Sequence, residues 1–285
     1  MLRRKIERAR RRIQAMSSRL AASRQPDPLA TQTGTIVTIF YDVEGNYAMP
    51  GQSAACVGTA WKILEIEARL GIRSTYNMVA RLAQEAPDLV AAIARAGSEL
   101  ASHSLDHQVL IRLPHDALAD NIRRTRDAFA GLGVRVIGHR SPQSAWNRRL
   151  MGLLRAEGFR WSAEDGTEPH PYRLAGEPGN ALWRFPVADD DWHYGRDPDV
   201  RPSVVLARWQ SCVRRAVAAR RRHIAIGFHP WVEAPRDRFA VFETFMHWLR
   251  EQRDIRVMPF REVLELMEEG GRAARDDSRY ALTGS

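Results

Sequence analysis

Cysteine is nearly absent: Cys56 and Cys212, far apart, are the only two among 285 residues. That excludes a disulfide framework and a cysteine-ligated zinc site, and leaves two small core residues compatible with a reducing compartment. Long apolar runs are missing as well. The N-terminal stretch with regularly spaced apolar residues is broken by Arg10, Arg11 and Arg12, so neither a secretory signal nor a membrane span is expected. The expected location is cytoplasmic. The body of the chain also lacks net charge. Residues 1–25 hold nine cations and one anion, Glu7, which leaves 34 cations and 33 anions in the remaining 260 residues. The formal charge of +9 therefore belongs to a tail, and a general nucleic-acid groove is not expected. No internal repeat is visible.

What is present at the N-terminus is a stripe. Leu2, Ile6, Ala9, Ile13, Met16 and Leu20 recur at steps of four and three, the spacing of one helical face. With its cations, this segment reads as a basic amphipathic helix. Such a helix suits peripheral contact with the anionic inner face of a membrane, or pairing in a short coiled coil; a solvated, frayed extension has equal standing. Residues 21–34 are rich in small, polar and proline residues and read as a linker. Residues 1–34 thus form one unit, a basic helix and linker.

After it, short apolar runs alternate with helical patterns. Strands are expected at 36–43, 73–79, 98–103, 134–139, 158–163, 182–187, 223–229 and 255–258. Helices are expected at 53–70, 86–96, 115–131, 146–157, 202–221, 237–251 and 260–269, with Gly71, Gly97, Gly131 and Gly158 as C-terminal caps. The predicted class is α/β: a distorted (β/α) barrel of about seven parallel strands, in a single catalytic domain over 35–270. The polar segment 271–285 reads as a disordered tail.

Two histidines, His103 and His107, stand four residues apart. They point the same way if the chain leaves a strand there and turns into helix. Upstream, Asp42 and Glu44 end an apolar run at i and i+2, one face of a strand. Two imidazoles with one or two carboxylates make a hydrolytic metal site of zinc type, with a position left for water. Cobalt, nickel or iron suits the same ligands. In a barrel, chemistry sits at the C-terminal strand ends, and Asp42, Glu44, His103, Arg140 and His229 all fall there.

These residues lie in ordered blocks: Thr38-Ile-Phe-Tyr-Asp-Val-Glu44, Ala96-Gly-Ser-Glu-Leu-Ala-Ser-His-Ser-Leu-Asp-His107, Gly138-His-Arg-Ser-Pro142, Asp189-Asp-Asp-Trp192 and Gly227-Phe-His-Pro-Trp231. Over residues 35–270 the chain resembles the polysaccharide deacetylases (chitooligosaccharide deacetylase homology domain, carbohydrate esterase family four), near their allantoinase-like and deformylase branches. The resemblance implies a metal held by His103, His107 and a strand-end carboxylate, Arg140 orienting the base, and His229 as general acid. Ser104 is expected to bond a loop carbonyl and fix a ring. Many members carry adjacent aspartates at the first block, where this chain has Asp42-x-Glu44. Asp42 is assigned as base and Glu44 as ligand, with the exchange open; were Glu44 to face solvent, Asp42 would be the ligand and Tyr41 would take the base position.

Asp191 is expected to tune His229, with Asp165, Asp189 and Asp190 also eligible. Trp192, Trp231 and Pro142 are expected to contact substrate, and Trp146 is a further aromatic candidate. The resemblance implies a carbohydrate substrate and removal of an N-acyl group, acetyl first among them, from an amino sugar in glycan or glycolipid assembly. The alternatives are the same chemistry on another C–N bond, or an inactive barrel that binds glycan or a partner.

Overall fold

A computed structural model describes residues 20–176, 180–192, 194 and 200–281; side chains are described as far as residue 270. The strands are β1 (Thr35–Val43), β2 (Thr75–Met78), β3 (Glu99–Ser102), β4 (Gly138–Arg140), β5 (Trp161–Asp165), β6 (Tyr172–Ala175), β7 (Leu182–Asp190), β8 (His223–Phe228) and β9 (Ile255–Val257). The helices are α1 (Ser53–Leu70), α2 (Ala80–Glu85), α3 (Pro87–Arg95), α4 (His115–Gly131), α5 (Arg148–Ala156), α6 (Pro202–Ala218), α7 (Arg236–Glu251) and α8 (Phe260–Ala281). Strands β2-β3-β4-β5-β7-β8-β1 run parallel in that order, and β1 pairs again with β2 to close the barrel.

The distortion has a visible cause. One edge of β1 pairs with β9 along Thr35–Val37 and only then with β2 along Phe40–Val43. β9 is thus wedged into the base of the β1–β2 seam. The short β6, which the sequence pattern does not reveal, pairs antiparallel with β7 outside the ring.

Alternation along β1 sorts its residues. Val37, Ile39, Tyr41 and Val43 face the helices, whereas Ile36 and Phe40 join the interior. The lower interior is an aromatic plug. α8 begins by inserting Phe260 into the base, where its ring centroid lies 4.6 Å from Trp161, 4.8 Å from Phe185 and 5.7 Å from Phe40. Two strand glycines make room for these rings. A Cβ at Gly138 would lie 1.9 Å from Trp161, and one at Gly227 would lie 2.4 Å from Phe40. With the base filled, polar groups gather at the C-terminal end.

Two carboxyls are sealed elsewhere in the packing. Glu67 on α1 accepts hydrogen bonds from Tyr41 and Tyr76, each 2.8 Å. Glu99 on β3 accepts from Thr75, Trp161 and the Arg261 backbone. Burial pushes each up to about 7. Burial also holds His139 and His223 neutral, down to about 3.

Several expectations shift. Gly71, Gly97 and Gly158 take left-handed φ after their helices, but α4 is followed by Gly133 in that role, not Gly131. β4 starts at Gly138, four residues later than predicted, because the chain must first clear that turn. The linker-like segment is laid against the barrel: Leu29 is buried beside Phe260 and Val263, and Gln25 exchanges hydrogen bonds with the Arg173 backbone. The last helix extends to Ala281, through most of the segment whose composition reads as disordered. The basic stripe at 1–19, with its membrane and coiled-coil readings, lies outside the described residues. No helix among the described residues is long and apolar enough to cross a membrane.

Two outcomes follow from this packing. Gly138→Ala is expected to cost about 3 kcal/mol or more by overpacking against Trp161, read by urea denaturation; unchanged stability would contradict the plug. Glu67 binds a proton in the native state that the unfolded chain, near 4.5, releases. Its neutral-form stabilisation is full below that value and is lost as pH rises through about 7. Glu67→Gln should therefore gain on wild type in melting temperature between about pH 5 and pH 8, and a pH-independent gap would refute it.

Candidate active site

Asp42 is the last inward residue of β1. The chain then leaves the strand, and Glu44 adopts helical angles (φ −109, ψ −32) ahead of a short turn at Gly45–Tyr47. That bend turns Glu44 back over the barrel mouth beside Asp42. Both are buried. Tyr41 points the other way, to Glu67, so the arrangement with Glu44 in solvent and Tyr41 at the site is not the one adopted.

His103 follows β3 directly. The segment to His107 is a turn, not the helix the spacing suggested, and Ser104 (φ 68) and His107 (φ 61) are left-handed. Such angles are costly for non-glycine residues, and the surroundings hold them. The backbone oxygens of Ser104 and Leu105 accept from Ala80 and Arg81 at the start of α2. Ser104 Oγ accepts from the His107 backbone N–H at 2.9 Å, a different bond from the carbonyl contact expected of it.

The tautomer of His103 is fixed by a carbonyl. Its Nδ1 lies 2.8 Å from Arg140 O, which can only accept, so Nδ1 carries the hydrogen. In the neutral ring Nε2 is then a lone pair, and it faces Glu44 Oε1 at 3.2 Å. His107 Nε2 lies 2.9 Å from the same oxygen, without the alignment of a hydrogen bond. Three electron-rich atoms within 4.8 Å of one another repel unless a cation lies among them. Glu44, His103 and His107 therefore fit a divalent ion. Burial opposes the Glu44 charge, but the charge of His229 outweighs it and the carboxyl lies well below the usual range. Its other oxygen, Oε2, accepts from Trp231 Nε1 at 2.9 Å.

Asp42 is held differently. Its Oδ1 accepts from Asn77 Nδ2 at 2.8 Å, and its Oδ2 faces Arg140 Nε at 3.4 Å. Arg140 is itself buried among Asp165 (3.1 Å), Glu164 (3.7 Å) and Asp190 (3.9 Å), and bonds Ser144. Burial works against its charge, but Asp165, Asp42 and Asp190 outweigh burial and raise its pKa above the ordinary value.

Opposite stands His229. Its Nδ1 donates to Asp191 Oδ1 at 2.5 Å, and its backbone N–H donates to Oδ2 at 2.7 Å. Nε2 faces Asp42 Oδ2 at 3.7 Å and Glu44 Oε1 at 3.8 Å. Burial favours the neutral ring, yet the charges of Asp191, Glu44 and Asp42 prevail and push His229 up to about 10. Asp42, Glu44 and His229 form a second convergent group, in which a protonated ring already answers the carboxylates.

Of the four eligible aspartates, Asp191 alone bonds His229 in this way. Asp189 pairs with Arg208 at 2.9 Å, Asp165 joins Arg140 and Ser144, and Asp190 Oδ1 accepts from the Trp192 backbone. Trp192 and Trp231 meet edge to face at 5.5 Å beside His229. Pro142 is buried, and its turn carries Ser144 to Arg140. Trp146 stacks on the buried Arg184 guanidinium at 4.2 Å. Two contributors went unforeseen. Asn77 could have been found as a polar residue at an inward strand end; the Trp231 bond to Glu44 spans 187 positions and leaves no local signal.

Residues 36–161 match the family model described as Polysaccharide deacetylase. Over those residues the chain is similar to that family. Solved structures similar to it include one described as a putative polysaccharide deacetylase from Mycobacterium smegmatis (23% identity, 88% of this chain and 93% of that one, TM-score 0.75). A probable polysaccharide deacetylase from Pseudomonas aeruginosa PAO1 is also similar (14%, 86% and 95%, TM-score 0.71), as is Puue allantoinase (15%, 85% and 93%, TM-score 0.69). At these identities the likeness shows the fold alone, the distorted barrel, including its continuation beyond residue 161.

Ligand-orienting bonds typically change metal affinity ten- to a hundredfold. Trp231→Phe keeps a ring and removes the N–H, so zinc affinity should fall by roughly that factor in competition with a chromogenic chelator. Wild-type affinity would sever Trp231 from the metal centre.

Proposed function

We propose that this protein is a metal-dependent amide hydrolase that removes an N-acyl group, acetyl being the one expected, from an amino sugar in glycan or glycolipid assembly. The observation that carries the reading is the pairing of Asp42 with His229 across the Glu44–His103–His107 group. One carboxylate, Asp42, is bonded by Arg140 and Asn77, and the His229 imidazole faces it at 3.7 Å. That is the arrangement amide hydrolysis requires: a base for the nucleophile and an acid for the nitrogen that leaves.

A divalent ion held by Glu44, His103 and His107, zinc first, with cobalt, nickel or iron as alternatives, would supply an activated water and polarise the acyl carbonyl. The chain's own residues do the rest. Asp42 takes the proton of the attacking water through the oxygen not committed to Asn77. Arg140 holds that carboxylate in place. His229 Nε2 gives its proton to the departing amine, and Asp191 fixes the ring through Nδ1 and balances its charge. The edge-to-face pair of Trp192 and Trp231 suits the apolar face of a sugar ring.

Positioned acids and bases contribute roughly a hundred- to ten-thousandfold each. Asp42→Asn and His229→Ala should each lose about that factor in kcat while keeping a wild-type circular dichroism spectrum. Chelation should abolish acetate release from N-acetyl amino sugars, and added zinc should restore it. Formate or ammonia release instead would move the reaction to another C–N bond; turnover in either variant near wild type would overturn the assignment.

A further inference from the structure

The turn that follows β4 departs from ordinary backbone at two consecutive positions. Gln143 and Ser144 both take left-handed angles, φ 58 and φ 52, and neither is glycine. Such angles are costly for L-residues, and where they persist the surroundings hold them. At Ser144 the surroundings are Arg140 and Asp165. Ser144 Oγ accepts from Arg140 Nη1. It also accepts from the Asp165 backbone N–H at 2.8 Å and donates to Asp165 Oδ1 at 2.7 Å. One donor and two acceptor positions are all that a hydroxyl offers, and all are used. Asp165 Oδ1 in turn accepts from Arg140 Nη2 at 3.1 Å, which closes a ring of three residues. Nη1 also donates to the Ala163 backbone oxygen at 3.3 Å, so Nε is the nitrogen left to face Asp42, at 3.4 Å.

We propose that Ser144 is a positioning residue: its hydroxyl ties Arg140 Nη1 to Asp165, so that Nε faces Asp42, and the strained turn serves that bond. This rests on the hydrolase reading above, in which Arg140 holds the base. A guanidinium is a fork of five donors and readily meets a carboxylate through two of them. Free to turn, it would clamp Asp42 and occupy the oxygen needed for proton transfer. Held by Nη1 and Nη2, it reaches Asp42 side-on through one N–H. Asp165 alone would not hold it. The Asp165 side chain is 62% exposed, against 5% for Arg140, and an ion pair open to water is weak. Ser144 pins that carboxylate through Oδ1 and through the backbone N–H of the same residue. A glycine at 144 would take the same angles at no steric cost and supply no oxygen. The chain carries the residue that strains the turn and provides the hydroxyl.

The test compares Ser144→Ala with Ser144→Gly in zinc-loaded protein. Both remove the hydroxyl, and only Gly relieves the left-handed backbone. Gly should therefore melt about 2–4 °C higher than Ala. Both should lose kcat by the same factor, roughly ten- to a hundredfold, with KM changed less than about twofold. Activity that recovers in Gly together with stability would mark a purely structural residue and overturn the proposal. The second readout needs no turnover: the Arg140 Nε–H resonance, assigned by its loss in Arg140→Lys, should be sharp in wild type and shift or broaden in both variants. A kcat within about threefold of wild type in either variant, or a resonance unchanged in both, would also overturn it. If wild type hydrolyses no sugar, the hydrolase reading fails, and the resonance alone decides the role of Ser144.

Discussion

Two carboxylates, Asp42 and Glu44, are buried side by side at the mouth of a barrel, and the surrounding structure answers the cost of keeping them charged. Removing an ion from water costs several kcal/mol unless opposite charge and hydrogen bonds replace the lost solvation. Asp42 receives Arg140 and Asn77; Glu44 receives Trp231 and, with His103 and His107, forms a group that fits a divalent ion. His229 stands between them at 3.7 and 3.8 Å. The supporting groups come from four separate places on the ring: Asn77 on β2, His103 and His107 after β3, Arg140 on β4, and His229 and Trp231 after β8. The site is therefore a property of the closed ring and could not survive in any one segment.

The plug beneath explains how such a site stays dry on one side. Phe40, Trp161, Phe185 and Phe260 fill the lower interior, and glycine at 138 and 227 is what permits ring-to-backbone contact there. Gly227 lies two residues before His229, and Gly138 two before Arg140. The strands that bring His229 and Arg140 to the rim are thus the ones stripped of side chains lower down. Packing and chemistry are set by alternating positions on the same strands.

Much of this was legible because it is periodic or local. The bounds of α1 and α4 coincide with the expected 53–70 and 115–131, since an apolar stripe and a nearby left-handed glycine mark them. The rim residues were legible for the same reason: strand ends are readable, and the barrel puts strand ends together. What failed was non-local. The His103–His107 turn is held left-handed by Ala80 and Arg81, and the six-residue helix that provides them is too short to show a period. Asn77 matters only through Asp42, its partner 35 positions away.

The division of labour between Asp42 and Glu44, open in the sequence, acquires a physical argument from the bend between them. An uninterrupted strand would present both carboxylates equally to the axis. The helical angles at Glu44 end the strand one residue early and swing that carboxylate toward the histidine turn, where Oε1 meets two lone pairs that only a cation can reconcile. Asp42 stays on the strand, where Arg140 and Asn77 occupy its solvation. A carboxylate already balanced by a guanidinium gains less from a divalent ion than one facing two neutral nitrogens. The geometry thus supports Glu44 as ligand and frees Asp42 for proton transfer.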